Sequence, residues 1–244
     1  MAWLQEGTIE NLKVLVLGSY GTGKSFFAKS FPEPIYLLDF DKGAISYQGR
    51  KVYVPDYLTQ NLPIQQKFMS MEKDIDLLIQ NQHPEGQFST IVLDSLTTFL
   101  KEAMELALAT KRSPDGLPQW NVHYAMVKVY TDRLIERLRR FQGHICVICH
   151  LEYIRNEMTG EILAVPSVTG NLKTYIPALF DEVYFTEIAT RGGKVEYTIN
   201  LAPKGFMRAR SRLRAVYPEI PDTLPNSFDS IQQYIKNKKE VKAS

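Results

Sequence analysis

The sequence has no stretch suited to a membrane anchor or an export signal. It contains no run of about 18 uncharged apolar residues. Residues 1–10 include Glu6 and Glu10 and lack the long apolar segment of a signal peptide. Apolar residues nevertheless make up 44% of the chain, which is enough for a full core. We therefore expect a soluble cytoplasmic protein that does not contact a membrane.

Cysteine is also scarce, because Cys146 and Cys149 are the only two. With the following His150 they match the spacing of a c-type haem attachment motif. However, residues 145–151 form an apolar run that is typical of a buried strand, and residues three apart on a strand point to opposite faces. The two sulfur atoms could then share neither a metal ion nor a disulfide, so we expect two thiols packed in the core.

The chain lacks a strong excess of either charge, since its formal net charge is only +2. Binding to nucleic acid would therefore need local clusters of cations. Residues 204–214 form such a cluster, with no acid and with Lys204, Arg208, Arg210, Arg212 and Arg214. In an extended chain the four arginines would lie on one side. A solvated basic edge strand and a row of phosphate-contacting cations both fit this pattern.

Apolar runs and helical periods alternate along the first 151 residues. The runs predict strands at residues 12–17, 35–40, 51–54, 90–93 and 144–151. Apolar residues that recur every three to four positions predict helices at 23–31, 63–81, 95–108 and 120–141. A long loop or hairpin at 152–170 precedes strands at 183–187 and 195–201. This order predicts an α/β fold with a mainly parallel, twisted sheet flanked by helices, and with antiparallel C-terminal strands. We take residues 1–225 as one core and 226–244 as a C-terminal helix with a lysine-rich tail.

Residues 18–25 match the phosphate-loop pattern G-x-x-x-x-G-K-[ST]. In such a loop the backbone N–H groups and the lysine contact phosphate oxygens, while the last hydroxyl ligates Mg²⁺. The loop follows a buried strand and opens a helix, whose positive end also attracts anions. We therefore predict binding of a nucleoside triphosphate, expected to be ATP with Mg²⁺, by Gly18, Ser19, Tyr20, Gly21, Thr22, Gly23, Lys24, Ser25 and Phe26.

Three other strand ends deliver polar side chains to the edge of the sheet where ligands bind. Asp94 is the predicted metal carboxylate beside Ser25, with a helix N-cap as the alternative. Asp41 is the predicted catalytic base, Asp39 is the fallback, and a solvated turn is the plain alternative. His150 is the predicted sensor of the γ-phosphate, although a lone histidine can also be structural.

This arrangement resembles the RecA-type recombinase core. In that core, four features follow one another along the chain. They are a phosphate loop, an acidic residue beyond the second strand, a strand ending in Asp-Ser and a strand ending in a polar sensor. The matching residues are 18–25, Asp41, Asp94-Ser95 and His150. The chain resembles more closely the short phage-type RecA-like ATPases that act in recombination and single-strand annealing. The features that carry this resemblance are the G-x-x-G-x-G-K-S loop, His150, the basic segment, GNLK at 170–173 and FDEV at 180–183. The similarity covers about residues 11–214. It departs at Asp41, where RecA proteins usually have the longer glutamate.

The resemblance implies a Mg²⁺-dependent ATPase that is stimulated by single-stranded DNA and assembles as a homo-oligomeric ring or filament. Its setting would be the cytoplasm, including that of a phage-infected bacterium, and a single-strand DNA-binding protein is a further partner to consider. Lys204, Arg208 and Arg210 would reach into a neighbour's triphosphate, with DNA phosphates as the alternative target.

Two loops would hold the DNA, at residues 109–120 and 151–169. Cations there would contact phosphates and aromatic rings would stack on bases, although ordinary exposed loops remain the alternative. The side chains concerned are Lys111, Arg112, Trp120, Tyr153 and Arg155.

Two other functions stay open from the sequence. A small-molecule or nucleotide kinase also uses a phosphate loop, and residues 204–214 could then belong to an arginine-rich lid. The short side chain of Asp41 keeps open an ATP-gated loader or adaptor with little hydrolysis. A GTPase is disfavoured, because no strand ends in the Asn-Lys-x-Asp base-reading pattern.

Overall fold

A computed structural model describes residues 11–243, which form one ten-stranded sheet with helices on both faces. The strands are β1 (Lys13–Gly18), β2 (Ile35–Asp39), β3 (Val52–Tyr53), β4 (Thr90–Asp94), β5 (His144–Arg155), β6 (Ile162–Pro166), β7 (Glu182–Arg191), β8 (Lys194–Asn200), β9 (Arg210–Ser211) and β10 (Thr223–Pro225). The helices are α1 (Lys24–Lys29), α2 (Asp56–Thr59), α3 (Ile64–Ile79), α4 (Leu96–Thr110), α5 (Ala125–Leu138), α6 (Leu172–Ala178), α7 (Leu213–Val216) and α8 (Phe228–Ala243). None of the helices within residues 11–243 is long and apolar enough to cross a membrane.

The strand order along the sheet is β10-β8-β7-β1-β5-β4-β2-β3. The strands from β7 to β3 are mutually parallel, while β8 and β10 extend the sheet in antiparallel fashion. The predicted RecA-like α/β fold is therefore confirmed, including its antiparallel C-terminal strands. The register places Gly18 beside His150 and Asp39 beside Asp94. The carboxyl ends of β1, β2 and β4 consequently meet at one edge with His150, the point where β5 leaves the sheet to continue toward Arg155.

The core lies in two layers, one on each face of the sheet. Val14 and Val16 face the layer that contains α1 and α8, whereas Leu15 and Leu17 face the layer of α3, α4 and α5. Side chains alternate in this way because successive residues of a strand point to opposite faces. The cysteines follow the same rule, since Cys146 belongs to the first layer and Cys149 to the second. Both are buried free thiols, which confirms the sequence prediction.

Helix α8 packs into the same layer as the helix that follows the phosphate loop. Its residues Phe228, Ile231 and Ile235 are buried in one cluster with Phe27 and Phe31 of α1 and the adjoining turn. The rings of Phe31 and Phe228 lie 4.4 Å apart. The start of α8 is thereby fixed against the element that positions the phosphate site.

Two elements differ from the predicted boundaries. β5 continues four residues beyond Leu151 and pairs with β6, so the predicted loop or hairpin at 152–170 is a two-stranded ribbon. The predicted helix 120–141 begins with a π-helical turn at Trp120–Tyr124 and ends at Leu138. The Phe141 ring is buried just beyond this end and packs against Gly143, where a Cβ atom would lie only 2.4 Å from the ring. The spacing of apolar residues along the sequence predicts neither the pairing of β5 with β6 nor the contact between Phe141 and Gly143.

Buried His144 should make stability depend on pH. Burial, helped by the positive charge of nearby Lys13, lowers the pKa of His144 to about 4, well below the ordinary histidine value of about 6.5. Between these two pH values His144 is protonated in the unfolded chain but neutral in the folded chain. The free energy of unfolding therefore falls by up to ~3 kcal/mol as the pH drops through this window.

Replacing His144→Gln should remove this part of the pH dependence, since glutamine can still accept the N–H of Leu12 that bonds the ring. Denaturant unfolding of both proteins between about pH 7 and pH 4.5 measures the difference. Parallel stability curves for the two proteins would contradict the assignment.

Candidate nucleotide site

The phosphate loop runs from the end of β1 to the start of α1. Gly21 and Gly23 have φ angles of 72° and 88°, a left-handed conformation that favours glycine. The Nζ of Lys24 lies inside the loop and donates to the Ser19 carbonyl at 2.7 Å. Burial lowers the pKa of Lys24, while the charges of Asp94 and Asp41 oppose that shift. The loop thus holds a cation at its centre, as a phosphate site requires.

The predicted metal pair is assembled at this edge. The Ser25 hydroxyl donates to Asp94 Oδ2 at 2.8 Å, and the Tyr47 hydroxyl donates to the same oxygen at 3.1 Å. Burial raises the pKa of Asp94 to about 6, although the bond from Ser25 works against this rise. The alternative role of helix N-cap belongs to Ser95, whose hydroxyl accepts the N–H of Thr98. Asp94 is therefore a buried carboxylate beside a hydroxyl, a donor set that suits a hard divalent cation.

Asp41 and His150 form a second polar pair next to the first. His150 Nε2 lies 3.4 Å from Asp41 Oδ2, and the Ser95 hydroxyl donates to Asp41 Oδ1 at 2.9 Å. Burial would raise the pKa of Asp41, but hydrogen bonds from His150, Thr98 and Ser95 outweigh it and lower the pKa to about 2. The carboxylate is consequently ionised at neutral pH. Such a group can accept a hydrogen bond from water and orient it.

The fallback residue Asp39 serves the backbone instead. Its two carboxylate oxygens accept the N–H groups of Gly43 and Ala44, each at 2.8 Å. These bonds hold the short helical turn Ala44–Tyr47, which carries the Tyr47 hydroxyl to Asp94. Asp39 therefore shapes the site through the turn.

A pocket of about 650 Å³ opens at the loop. Its lining includes the predicted Lys24, Ser25, Asp41, Asp94 and His150. Exposed aromatic side chains complete the wall, and these are Tyr20, Phe26 and Tyr197. Ring faces of this kind stack on a nucleobase. The pocket thus combines a polar end for phosphates with an aromatic end for a base.

Two distant residues support the loop and were not predicted. The Thr186 hydroxyl lies 2.6 Å from that of Thr22, and the Asn226 side-chain amide donates to the Gly23 carbonyl at 2.9 Å. Gly18 must be glycine, because a Cβ atom there would lie 2.1 Å from the Thr186 hydroxyl. These contacts join residues more than 160 positions apart. No local sequence pattern marks them.

The cations of residues 204–214 do not form the one-sided array that alternation predicted. Only Arg210–Ser211 is strand, and α7 begins at Leu213. Each cation turns to a partner of its own. Lys204 pairs with Glu187 at 2.5 Å, Arg208 pairs with Glu161, Arg210 binds the Phe180 and Pro177 carbonyls, Arg212 pairs with Asp181, and Arg214 pairs with Asp222. Among the described residues that line the nucleotide pocket, Lys24 is the only lysine or arginine.

The residues predicted to contact DNA lie on two separate elements. Lys111 and Arg112 are exposed in the loop after α4, and Tyr153 and Arg155 are exposed on the β5–β6 ribbon. Trp120 is also exposed, with its ring 4.9 Å from that of Tyr124. Buried His123 fixes this π-helical turn, since its two ring nitrogens lie 2.8 Å from the Gln119 N–H and the Lys111 carbonyl.

The sequence model of the AAA domain family matches residues 10–213, most of the chain. The chain belongs to the AAA domain family. Its sheet is mainly parallel, and the phosphate loop connects β1 to α1. No curated protein matches it in sequence.

Two solved structures illustrate the similarity of this AAA domain to known proteins. The flagellar accessory protein FlaH from Methanocaldococcus jannaschii is 10% identical, with a TM-score of 0.41 and coverage of 88% of this chain and 83% of that one. A KaiC-like protein from Pyrococcus horikoshii is 9% identical, with a TM-score of 0.46 and coverage of 88% and 84%.

The contact from Asn226 should be needed for full nucleotide affinity of the AAA domain. Asn226→Ala leaves the Gly23 carbonyl without this donor, and losing a buried hydrogen-bond partner costs about 1–3 kcal/mol. We expect nucleotide affinity to fall by roughly 5- to 150-fold if this cost falls on the bound state, as measured by titration with a fluorescent ATP analogue. Asn237→Ala, at an exposed position of α8, is the matched control and should bind like the wild type. Equal affinities for all three proteins would refute the role.

Proposed function

We propose that this AAA domain hydrolyses ATP with Mg²⁺. The observation that carries the proposal is the adjacency of two polar pairs at the phosphate loop. Ser25 donates to Asp94, and His150 lies against Asp41, while Ser95 joins the two pairs by following Asp94 and bonding Asp41. A triphosphate site needs one set of groups for the metal and another for the attacking water.

Each group has a defined task in this proposal. The loop N–H groups and Lys24 bind phosphate oxygens, and Ser25 and Asp94 hold the metal. Bound Mg²⁺ would neutralise charge on the phosphate oxygens. Asp41 accepts a hydrogen bond from water and directs its oxygen toward the γ-phosphorus. Because the pKa of Asp41 is about 2, this carboxylate orients the attacking water but does not retain a proton taken from that water. His150 fixes the orientation of the Asp41 carboxylate.

The short side chain of Asp41 fits this task. The Asp41 N–H donates to the Asp94 carbonyl at 3.0 Å, so the backbone brings Asp41 close to the end of β4. The carboxylate is then held from both sides, by Ser95 and by His150. A close backbone approach can offset the methylene group by which aspartate is shorter than glutamate.

Asp41→Asn should therefore bind ATP like the wild type but lose at least about 100-fold in hydrolysis rate, because an amide orients water poorly. Lys24→Ala should lose both binding and hydrolysis. Release of inorganic phosphate and titration with an ATP analogue measure the two effects. Asp229→Asn, at an exposed position of α8, is the control and should match the wild type. An Asp41→Asn protein with wild-type turnover would exclude Asp41 from this role.

We further propose that single-stranded DNA stimulates this hydrolysis, in a recombination or annealing reaction. A pocket of about 450 Å³ supports this, since it presents the Trp120 and Tyr124 rings, the Lys128 amine and the loop Thr169–Leu172. Its described lining contains no acidic residue, and the Lys128 amine, which pairs with Asp132 at 2.9 Å, would exchange this partner for a phosphate of the DNA. Ser167, two residues before this loop, donates its N–H to the His150 carbonyl at 2.8 Å. Binding at the pocket could thereby reach Asp41 through His150.

Trp120→Ala should remove most of the DNA stimulation while the hydrolysis rate without DNA stays unchanged. Stacking on one aromatic side chain contributes about 1–3 kcal/mol per base, so DNA affinity should fall by roughly 5- to 150-fold. Phosphate release with and without an oligothymidylate at low salt provides the measurement. Leu117→Ala is the control, because Leu117 is equally exposed in the same loop. If the hydrolysis rate of the wild type is the same with and without DNA, the DNA proposal is wrong, whereas the ATPase proposal is unaffected.

A further inference from the structure

A buried tyrosine hydroxyl is one of two groups that bond the same oxygen of the predicted metal carboxylate. Asp94 Oδ2 accepts the Ser25 hydroxyl at 2.8 Å and the Tyr47 hydroxyl at 3.1 Å. A carboxylate oxygen has two lone pairs, so these two donors together occupy Oδ2. No described residue donates to the other oxygen, Oδ1, and Asp94 lines the nucleotide pocket. Oδ1 is therefore the oxygen that Asp94 can offer to a cation or to a water molecule bound on that cation.

The Tyr47 side chain is held in this position by the structure around it. Its ring is 2% exposed and is buried in the layer of α1 and α8. Directly after the turn Ala44–Tyr47, the Gln48 carbonyl accepts the side-chain amine of Lys29, the last residue of α1, at 2.9 Å. Because α1 also carries Ser25 in its first turn, this bond ties the two elements that bear the two donors. The Tyr47 hydroxyl is therefore a fixed part of the site.

Divalent cations differ in how they bind a carboxylate. Ca²⁺ takes about six to eight oxygen ligands in a flexible geometry, and it binds a carboxylate through one oxygen or through both. Mg²⁺ demands a nearly octahedral geometry and keeps several water molecules. Since Oδ2 is already bonded twice and Asp94 is only 3% exposed, the residue can offer a cation one oxygen and not two. This arrangement suits Mg²⁺ and opposes the two-oxygen binding that Ca²⁺ can use.

We propose that Tyr47 sets the cation preference of this site, because its hydroxyl keeps Asp94 from binding a metal ion through both oxygens. This inference rests on the proposed ATPase function, in which Ser25 and Asp94 hold the metal. Tyr47 is not among the described residues that line the nucleotide pocket, so it acts through Asp94 as a positioning residue. Without the hydroxyl, one lone pair of Oδ2 becomes free, and Ca²⁺ gains a second oxygen of the same carboxylate.

A purely structural role for Tyr47 predicts a different result. The Tyr47 ring packs in the core, and Tyr47→Phe retains that ring while it removes the hydroxyl. If the hydroxyl only supported the fold, its loss would weaken nucleotide binding to the same extent with every cation. If the hydroxyl governs how Asp94 binds a metal, its loss changes the ratio between the affinities measured with two cations. The ratio therefore separates the two roles.

The test compares Mg²⁺ with Ca²⁺ in the wild type and in Tyr47→Phe. A fluorescent, non-hydrolysable ATP analogue is titrated at a saturating concentration of each cation, and the ratio of the two dissociation constants gives the preference. The wild type should bind the analogue at least about 10-fold more tightly with Mg²⁺ than with Ca²⁺. In Tyr47→Phe this preference should fall by roughly 10-fold, chiefly because binding with Ca²⁺ becomes tighter when Oδ2 exchanges a hydrogen bond for a metal bond.

Tyr57→Phe is the matched control, since this buried tyrosine also loses a hydroxyl contact, the one with Tyr36 at 3.1 Å, but does not line the nucleotide pocket. It should keep the wild-type ratio, and thermal unfolding checks that both variants fold.

Three results would overturn the inference. They are a wild type that requires a divalent cation but prefers neither, a Tyr47→Phe protein with the wild-type ratio, and a Tyr47→Phe protein that binds equally weakly with both cations. The first result needs no variant, so the inference can be refuted on the wild type alone. Wild-type binding that is independent of both cations would refute the metal site of the proposed function instead.

Discussion

The need to accommodate three carboxylates at one edge of a sheet governs the structure of this protein. Asp39, Asp41 and Asp94 stand at the ends of two adjacent strands, where like charges raise one another's free energy. Each carboxylate has its own set of donors. Backbone N–H groups serve Asp39, Ser95 and His150 serve Asp41, and Ser25 and Tyr47 serve Asp94. The turn after β2, the residue before α4, the middle of β5 and the phosphate loop all take positions that supply these donors.

The three groups differ in electrostatic character because their surroundings differ. Asp94 is buried and its pKa is raised to about 6, whereas the pKa of Asp41 is lowered to about 2 by its hydrogen bonds. A buried, incompletely compensated carboxylate gains most from a cation, and an ionised, partly exposed carboxylate is suited to contact with water. The division of labour proposed for the two residues thus follows from burial and hydrogen bonding, although their side chains are chemically identical.

Much of the site could be predicted from the sequence because its main parts are local. A phosphate loop occupies consecutive residues, and the apolar runs before Asp41, Asp94 and His150 place these side chains at the carboxyl ends of strands. The parallel order of the sheet then brings them together. Tyr47, Thr186 and Asn226 could not be predicted in this way, since each reaches the loop or Asp94 through tertiary packing. The arginines at alternate positions misled the prediction because the glycine turn and α7 interrupt the strand.

The continuous strand β5 has a mechanical consequence. It pairs with β4 as far as Val147 and with β1 as far as His150, and beyond that residue it pairs only with β6 among the strands of the described chain. The free part from His150 to Arg155 is about 17 Å long at 3.3 Å per residue. The pairing stiffens this ribbon, the Phe206 carbonyl holds it by accepting the N–H of Ala164, and its base is the histidine that lies 3.4 Å from Asp41. The exposed ribbon and the proposed catalytic pair therefore share one residue, His150, and one continuous strand.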